Sequence, residues 1–189
     1  MPVKLFTPRR FADSRGWFTE SYNPDKLAAA GIDAVFVQDN HSQSVATGTI
    51  RGLHYQLPPF AQAKLVRCIR GSVWDVAVDI RDGSSTFGEW TAAILSADNG
   101  AQLFIPEGFA HGFVTLEPDS ELEYKVTARY SPDHEGGIRW DDPTLALPWP
   151  LDGRAPVLSD KDLVLPALAQ AQLGFAFDGC PLVPVEQPA

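Results

Sequence analysis

Residues 72–80 read SVWDVAVDI. Trp74, Val76, Val78 and Ile80 fall on one side of an extended chain, and Asp75 and Asp79 on the other. That two-residue period is the signature of a β-strand. It returns outward in both directions, in short runs separated by Gly, Pro, Asn and Asp: AVFVQDN (34–40), TIRGLHYQ (49–56), AKLVRCIRG (63–71), EWTAAILS (89–96), AQLFIP (101–106), HGFVTLE (111–117) and ELEYKVTARY (121–130). Many short strands so punctuated predict an all-β sandwich or barrel instead of alternating strands and helices.

Helical signal is sparse. PDKLAAAG (24–31) begins with Pro and ends with Gly, as a short helix does. SDKD (159–162) resembles a capping box, and PALAQAQL (166–173) has room for a couple of turns. The final stretch, GFAFDGCPLVPVEQPA (174–189), is apolar but broken by prolines. It is expected either to pack across the barrel or to lie in a subunit contact.

At 189 residues the chain is expected to be one domain, large enough to bury roughly 70% of its unfolded surface. It is 44% hydrophobic and 11% aromatic, a globular composition. No apolar run approaches a membrane span, and the first residues lack the apolar core of a signal peptide. Cys68 and Cys180 have no metal-binding or redox spacing, so a cytoplasmic protein with reduced thiols is expected. The formal net charge of −9 argues against nucleic acid or an anionic membrane as partner. A phosphorylated small molecule needs only a local basic cluster, and Arg51, Lys64, Arg67 and Arg70 are close in sequence, although a solvated charged face is the commoner meaning of such a cluster.

Two segments carry chemistry. One runs from Gly48 through His54 and Gln56 to Lys64 and Gly71; the other from Gly100 through Pro106, Glu107 and Gly108 to His111. They resemble the paired motifs of the cupin superfamily, which implies a jelly-roll barrel with short peripheral helices. Cupins commonly bind a metal through His and Glu at these positions, but here Gln56 and Lys64 replace two ligands, and a charged ammonium cannot ligate. No metal and no other cofactor is expected.

Eight ordered blocks narrow the resemblance: DSRGWFTESYN, FVQDNHSQS, IRGLHYQ, KLVRCIRGSVWDVAVDIR, STFGEW, IPEGFAHGFVTL, EYKVTARYSP and LSDKD, spread over about residues 3–170. Together they resemble the dTDP-4-dehydrorhamnose 3,5-epimerase family. One catalytic unit over residues 1–189, with a tail from 171, is then expected. The resemblance implies a dTDP-4-dehydro-6-deoxyhexose substrate, inverted at C3 and C5 through protons acidified by the C4 ketone. It also implies a homodimer.

The same resemblance implies site roles. His54 would be the base, since a neutral imidazole titrates near working pH. Asp162 would orient it, Lys64 would stabilise the enolate oxygen, and Tyr124 would return a proton on the far side. Substrate contacts would come from Arg15, Glu20, Gln38, Asn40, Arg51, His111, Tyr130, Glu135 and Lys161, with Tyr130 or Trp140 stacking on the base. Plainer readings compete: Asp162 lies three residues after Ser159 and could simply belong to a helix cap, Tyr124 could be packing on its strand, and His111 could be structural. Two rival functions share these motifs, a single-site 3- or 5-epimerase and a non-catalytic sugar-nucleotide-binding cupin; a metal-dependent cupin oxygenase ranks third, because of the altered ligands, and a metal analysis of protein purified without chelators decides it.

Overall fold

The period-two segments form an antiparallel scaffold in the computed structural model, which describes residues 1–187. The last two residues of the predicted tail lie outside the described residues. In chain order the elements are β1 (Lys4–Phe6), β2 (Arg10–Asp13), β3 (Gly16–Thr19), α1 (Pro24–Ala29), β4 (Gln38–Ser44), β5 (Ile50–Gln56) and β6 (Lys64–Arg70). Then follow β7 (Ser72–Asp79), β8 (Trp90–Ser96), β9 (Gln102–Ile105), β10 (Phe109–Thr115), β11 (Ser120–Val126), β12 (Glu135–Gly137) and α2 (Asp160–Leu163). One five-stranded sheet has the order β1-β9-β6-β11-β4 and the other β12-β5-β10-β7-β8; β2 and β3 form a separate hairpin. Two facing sheets with such non-sequential neighbours are the expected all-β jelly roll.

The inner faces meet in an apolar core containing Val66, Cys68, Val73, Ala77, Leu95, Leu103, Phe109 and Leu122. Outer faces are covered as well. Val76, Val78 and Ile80 of the opening stretch pack under Leu145, Leu147, Leu168 and Phe175 from the later chain. Trp74 meets Trp149 edge to face, with ring centroids 5.2 Å apart. This double burial explains why Asp75 and Asp79, on the other side of the same strand, have no solvent exposure. Leu27 of α1 and Ile32 cover Leu65 and Phe104 on the other sheet.

Three expectations need adjustment. The run at 34–40 is a strand only from Gln38, because β11 ends at Val126, which pairs with Gln38 and gives its last carbonyl bond to the Val37 amide. Upstream of that point no ladder partner exists, and Val35 is exposed. PALAQAQL forms a single 3-10 turn at Leu168–Gln170. The segment 121–130 leaves the sheet at Val126 and continues into the loop that carries Tyr130.

Candidate active site

A bulge decides what β5 presents to the barrel. His54 pairs with His111 of β10 and Arg51 with Phe113, so three residues on one strand span two on the other. The extra residue puts Arg51 and His54 on the same face, which simple alternation would forbid. Gly52 permits it, with φ +115° and so close an approach that a Cβ would lie 2.6 Å from the His111 carbonyl oxygen. On the facing sheet, Tyr124 of β11 pairs with Val66 and Asn40, and Val126 with Lys64 and Gln38. Gln38, Asn40, Lys64 and Tyr124 therefore point inward together.

Between the sheets opens a cavity of about 580 Å³ lined by Arg51, His54, Lys64, His111, Tyr124 and Asp162, among others. Tyr130, Glu135 and Lys161 sit on its wall. A smaller lobe of about 220 Å³ shares His54, Lys64 and Tyr124 and adds Gln38 and Asn40. His54 is on one sheet; Lys64 and Tyr124 are on the other.

His54 Nε2 lies 2.6 Å from Asp162 Oδ1. The cap competitor for Asp162 is present too: Ser159 caps α2 by accepting from the Asp162 amide. Both roles coexist, because the Ser159 hydroxyl also donates to Asp162 Oδ2 at 2.9 Å, leaving Oδ1 for the imidazole. Burial pushes the Asp162 carboxyl up, but the His54 and Ser159 hydrogen bonds and nearby positive charge outweigh it and hold it below the usual range. A carboxylate on Nε2 fixes the Nε2–H tautomer of a neutral ring and leaves a lone pair on Nδ1.

Burial lowers the Lys64 ammonium to about 8, against the raising influence of Asp75 and Glu135. Burial also raises the Tyr124 phenol, only partly offset by Arg51, so the group is a protonated donor at neutral pH. His111 is buried and kept neutral by desolvation, with its Nε2 against both Asp75 oxygens at 2.9 and 3.0 Å. Glu135 accepts from Tyr130 Oη at 3.0 Å and pairs with Lys161, holding both at the cavity wall. Gln38 accepts from the Tyr130 amide and donates to Asn40.

The cupin ligand positions do not fit a metal. The Gln56 side-chain oxygen accepts from the Ser131 amide at 2.8 Å and Lys64 is a cation, which leaves only His54 and His111 at those positions. Among the described residues no group of three or more His, Cys, Asp or Glu is placed to hold an ion.

Arg15 and Glu20 are not brought to this cavity within the chain. Arg15 sits in the turn of the β2–β3 hairpin, where it forks onto Asp13 two residues back, and Glu20 follows β3 and pairs with Lys26. Trp140 is also outside it, its carbonyl accepting from Trp149 Nε1. Ser159 and Asp75 escaped the sequence reading, since a cap serine and a strand aspartate are common; Asp75 carried one signal, a carboxylate on a strand with a fully apolar opposite face. A larger cavity, about 720 Å³, is lined by Arg81, Glu107 and Asp178. Its buried cation is already satisfied, for Arg81 forks onto Asp79 and bonds Asp178.

A model of the dTDP-4-dehydrorhamnose 3,5-epimerase family matches residues 2–170. The enzyme of that name from Pseudomonas aeruginosa is 54% identical over 170 residues, 89% of this chain and 92% of its own. A crystal structure of the Bacillus anthracis enzyme with TDP and pyrophosphate bound superposes with a TM-score of 0.84 at 53% identity, covering 87% of this chain and 93% of that one. The Legionella pneumophila dTDP-6-deoxy-D-glucose-3,5-epimerase, in complex with dTDP-4-keto-L-rhamnose, gives 0.84 at 46% identity over 89% and 88%.

Proposed function

The chain belongs to the dTDP-4-dehydrorhamnose 3,5-epimerase family, and from that membership we propose that it inverts C3 and C5 of dTDP-4-dehydro-6-deoxy-D-glucose to give dTDP-4-dehydro-L-rhamnose. It is an isomerase. One observation carries the assignment of roles: a carboxylate-held imidazole on one sheet faces a phenol and a buried ammonium on the other, across a single cavity. Such opposed walls suit removal of a proton from one face of a ring and its return to the opposite face.

In this reading His54 takes the proton α to the C4 ketone through its free nitrogen, and Asp162 stabilises the imidazolium formed. Lys64 meets the enolate oxygen; losing one such donor typically costs about 100- to 1000-fold in rate. Tyr124 delivers the new proton. Arg51, His111, Gln38, Asn40, Tyr130, Glu135 and Lys161 hold the sugar nucleotide, with no step passing through a metal or other cofactor.

Arg15 and Glu20 join the site if the protein is a homodimer whose hairpins reach into each other's cavities. The hairpin supports this: Trp17 and Phe18 are 58% and 65% exposed, a patch that a second copy would cover. We place the enzyme in the cytoplasm, in keeping with the free Cys68 and Cys180.

Proton NMR of the substrate in D₂O tests the roles. Wild type should exchange and invert both C3 and C5; inversion at one carbon alone would narrow the activity. His54→Ala should lose exchange as well as inversion, because no enolate forms. Tyr124→Phe should still exchange while largely retaining configuration, since the enolate can be reprotonated only from the face it came from. Equal inversion by wild type and Tyr124→Phe would remove Tyr124 from the mechanism.

A further inference from the structure

Asp75 lies within β7 and is completely buried. It pairs in register with Phe113 of β10 and Ala93 of β8, so its side chain enters the barrel on the face shared with Val73 and Ala77. Its two oxygens converge on one donor, Nε2 of His111. Among the described residues no other hydrogen bond reaches this carboxylate. A sealed carboxylate with a single neutral donor is costly unless a cation lies near. Lys64 is that cation: it lines the same cavity as the His111 that Asp75 holds, is only 9% exposed, forms no ion pair among the described residues, and feels the Asp75 charge.

His111 offers a second clue. No buried side-chain nitrogen or oxygen among the described residues lacks a partner, yet Nδ1 of His111 has no hydrogen bond. Nδ1 is therefore not sealed, and the open space that His111 lines is the catalytic cavity.

We propose that Asp75 is a positioning residue for this reaction: from beneath the cavity it fixes His111 as the Nε2–H tautomer, turning an acceptor lone pair toward the substrate, and it supplies the negative charge that keeps Lys64 an ammonium. The part concerning Lys64 rests on the epimerase reading above. Asp75 is the strongest of the groups that raise the Lys64 pKa, ahead of Glu135 on β12, while Lys161 beside α2 opposes them. His54, His111 and Tyr124, from β5, β10 and β11, together with Arg51, Tyr130 and Asp162, are the other titratable and charged groups lining the cavity. The same carboxylate holds His111 against the fuller depression that burial, Lys64 and His54 would impose. An acceptor at Nδ1 fits a substrate hydroxyl.

Asp75→Asn keeps the shape and removes the charge, and its test is the alkaline limb of kcat. The variant should lose activity about tenfold more at pH 8.5 than at pH 6, because Lys64 deprotonates about one pH unit earlier; KM should change less than kcat. Titration of isotope-labelled lysine by NMR should show the Lys64 pKa falling in the variant. Identical alkaline limbs, or one uniform loss at every pH, would overturn the proposal. If the variant does not fold, imidazole ¹⁵N shifts of the wild type decide: a neutral His111 protonated at Nε2 is expected, and protonation at Nδ1 refutes the tautomer. If the wild type fails to epimerise the substrate, the functional reading falls, while both NMR measurements still report on Asp75.

Discussion

Lys64 works against the fold, and in the proposed mechanism it works for the reaction. A buried ammonium has exchanged water for a low-dielectric site, and that burial, only partly offset by Asp75 and Glu135, lowers its pKa from 10.5 to about 8. The difference corresponds to a cost on the order of 3 kcal/mol at neutral pH. Because the folded-state value is the lower one, the unfolded chain binds more protons between about pH 8 and 10.5. The contribution of this group to stability therefore rises with pH across that window, and its cost is full below it. Lys64→Met keeps the length and removes the charge, so it should raise the melting temperature at pH 7 by several degrees while lowering kcat at least about 100-fold. Calorimetry and the epimerisation assay read the two effects separately; a melting temperature that falls would show that the ammonium is paid for elsewhere.

Among the elements, α2 is only four residues long and carries the carboxylate that bonds His54. Four residues cannot sustain a helix by propensity, so its geometry depends on the Ser159 cap and on tertiary contacts. Ser159 bonds Asp162 twice, through its amide and through Oδ2, and so aims Oδ1 at His54. Ser159→Ala should cost about 1 kcal/mol of stability. It should also lower kcat several-fold with KM little changed, because in the proposed mechanism Asp162 acts through His54 and not on the substrate. Ser159→Thr retains the hydroxyl and should restore most of the rate. Stability lost without any change in kcat would reduce Ser159 to a cap alone. The bulge in β5 is the other decisive element: by inserting one residue opposite β10 it sets Arg51 beside His54. Neither device follows from local pattern. A cap serine looks the same with or without a catalytic neighbour, and a bulge is visible only once the partner strand's register is known.

At the scale of the whole molecule, the open question is which chain completes which cavity. Arg15 and Glu20 are far from the chain's own site in bonding terms, held by Asp13 and Lys26 on an exposed hairpin. If hairpins cross between two copies, a His54→Ala chain and an Arg15→Ala chain, each nearly inactive alone, complement one another when refolded together. Random pairing gives heterodimers with one intact cavity and one intact hairpin meeting, so roughly a quarter of wild-type sites should return. Light scattering on the mixture should give the dimer mass. No recovery, in a mixture shown to contain heterodimers, would mean that each hairpin serves its own chain or none.

The sequence by itself determined the strand content, through period-two runs such as 72–80, and the residue types of the cavity, through the ordered motifs around His54, Lys64 and Tyr124. Both are local properties: alternation needs only the chain's pleat, and the chemical capacity of an imidazole or ammonium belongs to the side chain. Tertiary structure alone decided which walls these groups occupy, that Ser159 bonds the Asp162 carboxylate facing His54, and that Asp75 lies under the cavity. It also decided that both faces of β7 are buried, since the covering residues, Leu145 to Phe175, come from far along the chain. The physical reason is the same throughout. Direction, register and desolvation arise only when distant segments meet, and they turn a list of reactive side chains into opposed donors and acceptors with altered proton affinities.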